Sequence, residues 1–292
     1  MSGSEALAVR FEAHREHLRG VAFRLLGSLD EADDAVQLAW LRADRADLGD
    51  VTNLAGWLTT VVARISLDLL RARRSRGEEP ASAVEPRGGV EPEAEAVLAE
   101  SVGLAVLVVL DRLTPAERVA FVLHDVFALP FDEIAVVVGR STAASKKLAS
   151  RARGRVRGAP ATGDRTALAR NHAVVEAFLS AARDGDLDAL IEVLAPDVVR
   201  RADRFAAPPG AAAEIRGARA VAEATALNAY RISVAEVVLV DGEPGVVVAP
   251  RGRLLLVLSM TVREGRIVAY DVVGDPVRLA RISLALDPGR GN

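Results

Sequence analysis

The 292-residue chain contains no cysteine, which excludes disulfides, thiolate zinc sites, a cysteine nucleophile and any thiol redox switch. Aromatic residues supply only 4% of it, so its cores must be built from Val, Leu, Ile and Ala. Half of the chain is hydrophobic, which is enough material for sizeable cores. No stretch reaches the roughly 18 uninterrupted apolar residues of a membrane span. The opening segment, MSGSEALAVRFEAHREHLRG, lacks the apolar core of a signal peptide, and the expectation is a soluble, cytoplasmic protein with no membrane segment. The net charge is only −3, but that balance hides strong segregation along the chain. Length suggests two or three domains.

The most specific segment is FDEIAVVVGRSTAASKKLASRAR, residues 131–153. Ile134, Ala135 and Val138 give a first helix its apolar stripe, Gly139 supplies a left-handed residue to end it, and Ser141 can cap the next helix. Helical projection of that second helix puts Ala144 and Leu148 on the packing face and Thr142, Lys146, Ser150 and Arg153 on the outer one. Between Arg140 and Arg157 stand seven Lys or Arg and no Asp or Glu. A helix, a short capped turn and a basic second helix make a helix-turn-helix reader of duplex DNA, with the positive charge placed for phosphate contact. Ser141, Thr142, Lys146, Lys147, Ser150 and Arg153 are the expected DNA-contacting residues.

Upstream, residues 5–76 read as an all-α domain. Phe11, His14, Leu18, Val21 and Leu25 mark one amphipathic helix, and a Ser28-to-Glu31 capping box opens a second. Asn53 is a plausible N-cap for a third, with Leu54, Leu58, Val61, Ile65 and Leu69 inward and Thr60, Arg64, Asp68 and Arg71 outward. That helix ends in RARRSR, residues 71–76. Residues 77–96 carry six Glu against one Arg, with prolines at 80, 86 and 92, and read as an acidic linker. A second all-α domain, residues 97–157, contains a Thr114-Pro-Ala-Glu117 capping box with proline at the first helical position.

After a connector at 158–165, residues 166–292 change type. Helical patterns around Leu168–Ala182, Leu187–Leu194 and Ala218–Tyr230 precede strand-like runs at 232–240, 245–249, 254–262 and 266–273. Asp241-Gly242 and Glu264-Gly265 read as hairpin turns. The fold class is therefore multidomain: two all-α domains followed by an α+β domain with a mostly antiparallel sheet.

GSLDEADDAVQ at 27–37 and NLAGWLTTVVAR at 53–64 resemble domain 2 of the extracytoplasmic-function sigma factors, and LTPAER at 113–118 with the helix-turn-helix resembles domain 4. The resemblance implies partners and roles. Asp34, Gln37, Leu38 and Leu41 would grip core RNA polymerase. Asn53, Trp57, Arg64, Arg71, Arg73 and Arg74 would hold the unpaired strand of the −10 promoter element, while the helix-turn-helix reads the −35 element. The acidic linker would thread polymerase channels that nucleic acid also occupies. Residues 178–198 and 215–217 resemble a SnoaL-like domain, a cone-shaped α+β fold that in one branch of these sigma factors acts in cis on polymerase binding and promoter use. That branch has Asp-Gly-Gly-Gly-Lys where this chain has DRFAAPPG at 203–210, and Asn-Pro-Asp-Lys-Leu where it has GDPVRL at 274–279. Asp203, Asp275 and Arg278 are the residues expected at the regulatory contact.

No cofactor or metal is expected, and the free protein is expected to be a monomer. Two other readings fit parts of the chain. A ligand-responsive helix-turn-helix regulator would account for the last two domains but leaves the first without a role. A SnoaL-type enzyme would need a convergent acid/base pair, drawn from His172, Asp203, Tyr230 and Asp271. The cone also leaves room for an unidentified small ligand.

Overall fold

The computed structural model describes residues 3–49, 51–76, 103–158, 165–207, 210–228 and 232–286. The acidic stretch at 77–96, nearly all of the connector at 158–165, and Tyr230 lie outside them. The chain divides into two compact units, Met1–Val102 with Leu113–Arg153, and Gly103–Arg112 with Gly154–Asn292.

In the first unit, α1 (Gly3–Glu12), α2 (Arg15–Leu26), α3 (Leu29–Arg45) and α4 (Leu54–Ser75) pack around Phe11, Leu18, Phe23, Leu25, Leu29, Leu58 and Leu67. The single helix expected over Phe11–Leu25 is broken at Ala13-His14. The break redirects α1 so that Phe11 is buried and meets the Trp40 ring edge-on at 5.2 Å. Asn53 caps α4 by accepting from the Gly56 N–H at 3.0 Å. Ser28 precedes α3 but makes no side-chain cap. Its expected box partner Glu31 is drawn away to an ion pair with Arg73.

The next helix, α5 (Leu104–Asp111), belongs to the second unit. The first unit resumes with α6 (Pro115–Phe121), which runs on into a π-helical turn at Val122–Val126, and then α7 (Phe131–Val138) and α8 (Thr142–Arg157), whose last turn from Gly154 is counted in the second unit. Thr114 and Glu117 form the full reciprocal capping box. Both α6 and α7 pack against α4, so the helix-turn-helix and the N-terminal helices share one body.

In the second unit, α9 (Arg165–Asp184) and α10 (Leu187–Val193) lead into β1 (Leu194–Ala202) and β2 (Glu214–Arg216), then α11 (Ala218–Ala226). The strands β3 (Ala235–Val240), β4 (Glu243–Val248), β5 (Leu256–Arg263) and β6 (Arg266–Val273) follow, then α12 (Pro276–Leu279) and β7 (Leu284–Ala285). Among the described residues these strands form one sheet in the order β2-β1-β6-β5-β4-β3-β7. Every pairing is antiparallel except β1 with β6. Asp241-Gly242 and Glu264-Gly265 both take positive φ at their two positions, as a right-twisted two-residue hairpin requires. One sheet face and α9, α10 and α11 enclose an apolar core that includes Phe178, Leu190, Val221 and Ile267.

α5 packs on β3, β7 and the 3₁₀ turn Pro250–Gly252 in this unit. Its N-terminal N–H at Leu104 donates to Glu236 Oε1 at 3.2 Å, and Arg112 at its end donates to the Leu279 carbonyl at 2.9 Å. Gly252 has φ +74°, and a Cβ there would stand 2.8 Å from Leu107 Cδ1. Only glycine fits both the backbone and the helix at that point. The spatial units therefore cut across the sequence boundaries drawn at 97 and 158.

Candidate nucleic-acid interface and polymerase-binding face

The turn between α7 and α8 is built as its residues dictate. Gly139 ends α7 at φ 69°, and the Ala144 N–H donates to Ser141 Oγ at 3.2 Å. The face that α8 buries is rotated from the expected one. Ser145, Ala149, Ala152 and Val156 are buried, while Ala144 and Leu148 are only half-buried at its edge. Ser145 can occupy the centre because its hydroxyl donates to the Ser141 carbonyl at 3.1 Å, leaving no unsatisfied polar group.

The rotation leaves the outer face in place except at Arg153. Ser141, Thr142, Lys146, Lys147 and Ser150 are exposed, as are Arg140 and Arg151, which complete the basic surface. Lys146 lies 5.9 Å from the Phe131 ring centroid. Arg153 is half-buried, and its Nε donates to Asp125 Oδ1 at 2.6 Å. This expected duplex-reading residue is therefore already engaged by a carboxylate.

On α3, Asp34, Gln37, Leu38 and Leu41 are all exposed and follow the three- and four-residue spacing of a single helix face. Leu38 and Leu41 expose 44% and 43% of their surface although α3 has a well-filled core side. An acid, an amide and two bare leucines in one stripe suit a mixed polar and apolar protein interface.

The residues expected to hold a single strand divide into two groups. Trp57 is half-buried and Arg74 lies at the basic end of α4. Arg73 is committed to Glu31 and to the Leu26 carbonyl. Arg64 and Arg71 reach the helix-turn-helix: Arg64 donates to the Val136 carbonyl at 2.9 Å and Arg71 to the Val138 carbonyl at 3.5 Å. Those carbonyls belong to the last turn of α7, where they lack helical partners and carry the negative end of the helix dipole. A helix C-terminus thus occupies guanidinium groups of the type that bind phosphate. Arg118, a residue that sequence reasoning passed over, is buried and donates to the Arg24 carbonyl at 3.3 Å, a further tie between α6 and α2. On α2, burial holds the His17 pKa below its ordinary value, with His14 and Arg24 adding to the effect.

In the second unit the structure brings Asp203, Asp275 and Arg278 together. Asp203 accepts from the N–H groups of Phe205, Ala206, Gly274 and Asp275 and, at 3.4 Å, from Arg278. Burial alone would raise its pKa, but these backbone donors hold it below the ordinary carboxylate value. Asp275 caps α12 by accepting from Val277 and Arg278. None of His172, Asp203 and Asp271 lines the cavity enclosed by sheet and helices. Among the described residues no group of three or more His, Asp or Glu could hold a metal ion, and no helix is long and apolar enough to cross a membrane.

Residues 10–76 match the model for Sigma-70 region 2, and residues 103–156 match Sigma-70, region 4. The chain is 38% identical over 289 residues to the ECF RNA polymerase sigma factor SigJ of Mycobacterium tuberculosis, covering 91% of each. It is 33% identical over 296 residues to the probable ECF RNA polymerase sigma factor SigI of the same species, covering 99% of this chain and 100% of the other. The crystal structure of M. tuberculosis SigJ aligns over 93% of this chain and 98% of that one, at 34% identity with a TM-score of 0.46. With two relatives matched over nearly their whole length and both sigma regions in order, the chain belongs to the extracytoplasmic-function (ECF) family of RNA polymerase sigma factors.

Proposed function

We propose that this chain binds core RNA polymerase as a single copy, directs it to specific promoters, and is regulated in cis by its C-terminal α+β unit, a SnoaL-like domain. It performs no catalysis itself. The observation that carries the first part is the pairing of two exposed surfaces: the Asp34-Gln37-Leu38-Leu41 stripe for polymerase, and the basic face of α8 for the −35 duplex. Arg64, Arg71 and Arg74, with Asn53 and Trp57, take the unpaired −10 strand once the α7 carbonyls release the first two. Stacking and a basic groove are what single strands require.

Regulation in cis is supported by α5. It begins the region 4 match, yet it packs in the unit of the C-terminal sheet through Leu107, Glu236 and Gly252. The test compares the chain with Gly252→Val, which places a side chain against Leu107. Native mass spectrometry should find one copy of either protein per core polymerase. Transcription from the same promoter should differ between them. Equal transcription across promoters would remove the regulatory role, and failure of both to bind core would remove the sigma-factor reading.

A further inference from the structure

The sheet and helices of the second unit enclose a cavity of about 560 Å³, counted out to its open mouth. Its wall is apolar, with Phe178, Ile232, Val246 and Leu256 among the lining side chains, except for one polar group of four: Arg200, Thr225, Asn228 and Tyr270.

Arg200 is the anomaly. On β1 the side chains of Val198, Arg200 and Ala202 share one face by strand alternation, and both neighbours are buried in the core. The adjacent Arg201 faces outward and pairs with Glu214 at 3.0 Å. A cation thus stands on the inner face of an apolar sheet. Among the described residues no Asp or Glu lines the cavity to neutralise it. Arg200 is half-buried, so its charge stands where an anionic ligand entering the cavity can pair with it.

The hydroxyl protons nearby are already assigned. Thr225 Oγ1 donates to the Val221 carbonyl at 2.8 Å, so at its 3.0 Å contact with Tyr270 it accepts the phenol proton. Burial keeps Tyr270 a neutral phenol, against the opposing pull of Thr225 and Arg200. Asn228 donates to the Ala224 carbonyl at 2.8 Å. Arg200, cross-strand neighbour of Tyr270 and hydrogen-bonded to its hydroxyl, carries five N–H groups in a planar fork, so it keeps further donors for a ligand, and the Asn228 amide keeps its second N–H.

We infer that the cavity is a binding site for a small, largely apolar carboxylic acid, its carboxylate paired with Arg200 and its hydrocarbon or aryl body against Phe178, Ile232 and the β4 valines. A planar two-oxygen anion matches the guanidinium fork, and the apolar wall takes the remainder.

Isothermal titration of the full chain with octanoate and phenylacetate, against 1-octanol and 2-phenylethanol, tests this. The acids should bind at least about tenfold more tightly than the matched alcohols, the contribution of one charge-assisted pair. Arg200→Met should abolish that preference while leaving alcohol binding within about threefold. Undetectable acid binding, equal binding of acid and alcohol, or an acid preference that survives Arg200→Met would each overturn the site. The acid-versus-alcohol contrast in the unaltered chain needs no variant, so it decides the matter even if Arg200→Met does not fold.

Discussion

Arg64 on α4 donates to the Val136 carbonyl on α7 at 2.9 Å, so an arginine suited to single-stranded DNA is held by the first helix of the duplex reader. Under the proposed function, promoter engagement breaks this tie. The chain lacks cysteine, so a pair introduced at Ser75 and Asp132 can carry fluorophores. We expect high energy transfer in the free protein and a clear fall when core polymerase and promoter DNA are added together. Unchanged transfer would mean that both DNA contacts form without parting α4 from α7.

The reading helix gives a paired expectation. Lys146→Ala or Lys147→Ala should weaken binding to −35 duplex and lower the salt dependence by about one unit for each phosphate that is no longer neutralised. Asp125→Asn should act in the opposite direction, because it frees Arg153 and removes a negative charge near the phosphates. Fluorescence anisotropy across a salt series measures both. Weaker binding in Asp125→Asn would show that Arg153 needs its carboxylate for positioning.

On α3, replacing Leu38 and Leu41 together by Ala should reduce affinity for core polymerase by about tenfold or more, because less apolar surface is buried on binding. Both side chains are exposed in the free chain, so stability should change by no more than about 0.5 kcal/mol each. Pull-down titration with core polymerase, alongside thermal unfolding, separates the two effects.

Two groups give opposed chemistry but the same sense of acid sensitivity. Asp203 has a folded pKa below its unfolded value of about 3.9. Its stabilisation is therefore complete above that value and is lost as pH falls through the lower folded value. Asp203→Asn should cost about 2 kcal/mol near neutrality, because it removes charge-assisted hydrogen bonds, and progressively less in strong acid. His17 also has a lowered folded pKa, so stability falls as pH drops below its unfolded value of about 6.5. His17→Gln should flatten that earlier loss. Urea unfolding at a series of pH values checks both.

Features decided by neighbouring residues were legible in the sequence. Asn53, the Thr114–Glu117 box, Gly139 and Ser141 act within a turn of their own position, and Asp241-Gly242 is its own hairpin. Features decided at a distance were not. Glu31 lost its capping role to Arg73, 42 residues away. β1 opens at Leu194, which reads as the end of a helical pattern, and it joined the strand by pairing in parallel with Ile267 of β6. The centre of the α8 core face is Ser145, whose polarity hid it. Of the candidate site, the outer face of α8 followed from helical spacing, whereas the α3 stripe came from the resemblance to domain 2. The capture of Arg64 and Arg71 by α7, and of α5 by the sheet, needed the tertiary structure. Arg200 carried a signal of its own, a charge in register with Val198 and Ala202, visible only once the inward face of β1 was known.

The most direct measurement is in vitro transcription from genomic promoter fragments with sigma-free bacterial core polymerase and the full chain. We expect transcripts that start at defined promoters and disappear when Lys146 and Lys147 are both changed to Ala. No promoter-specific transcript, together with no association between the chain and core polymerase, would contradict its role as a sigma factor.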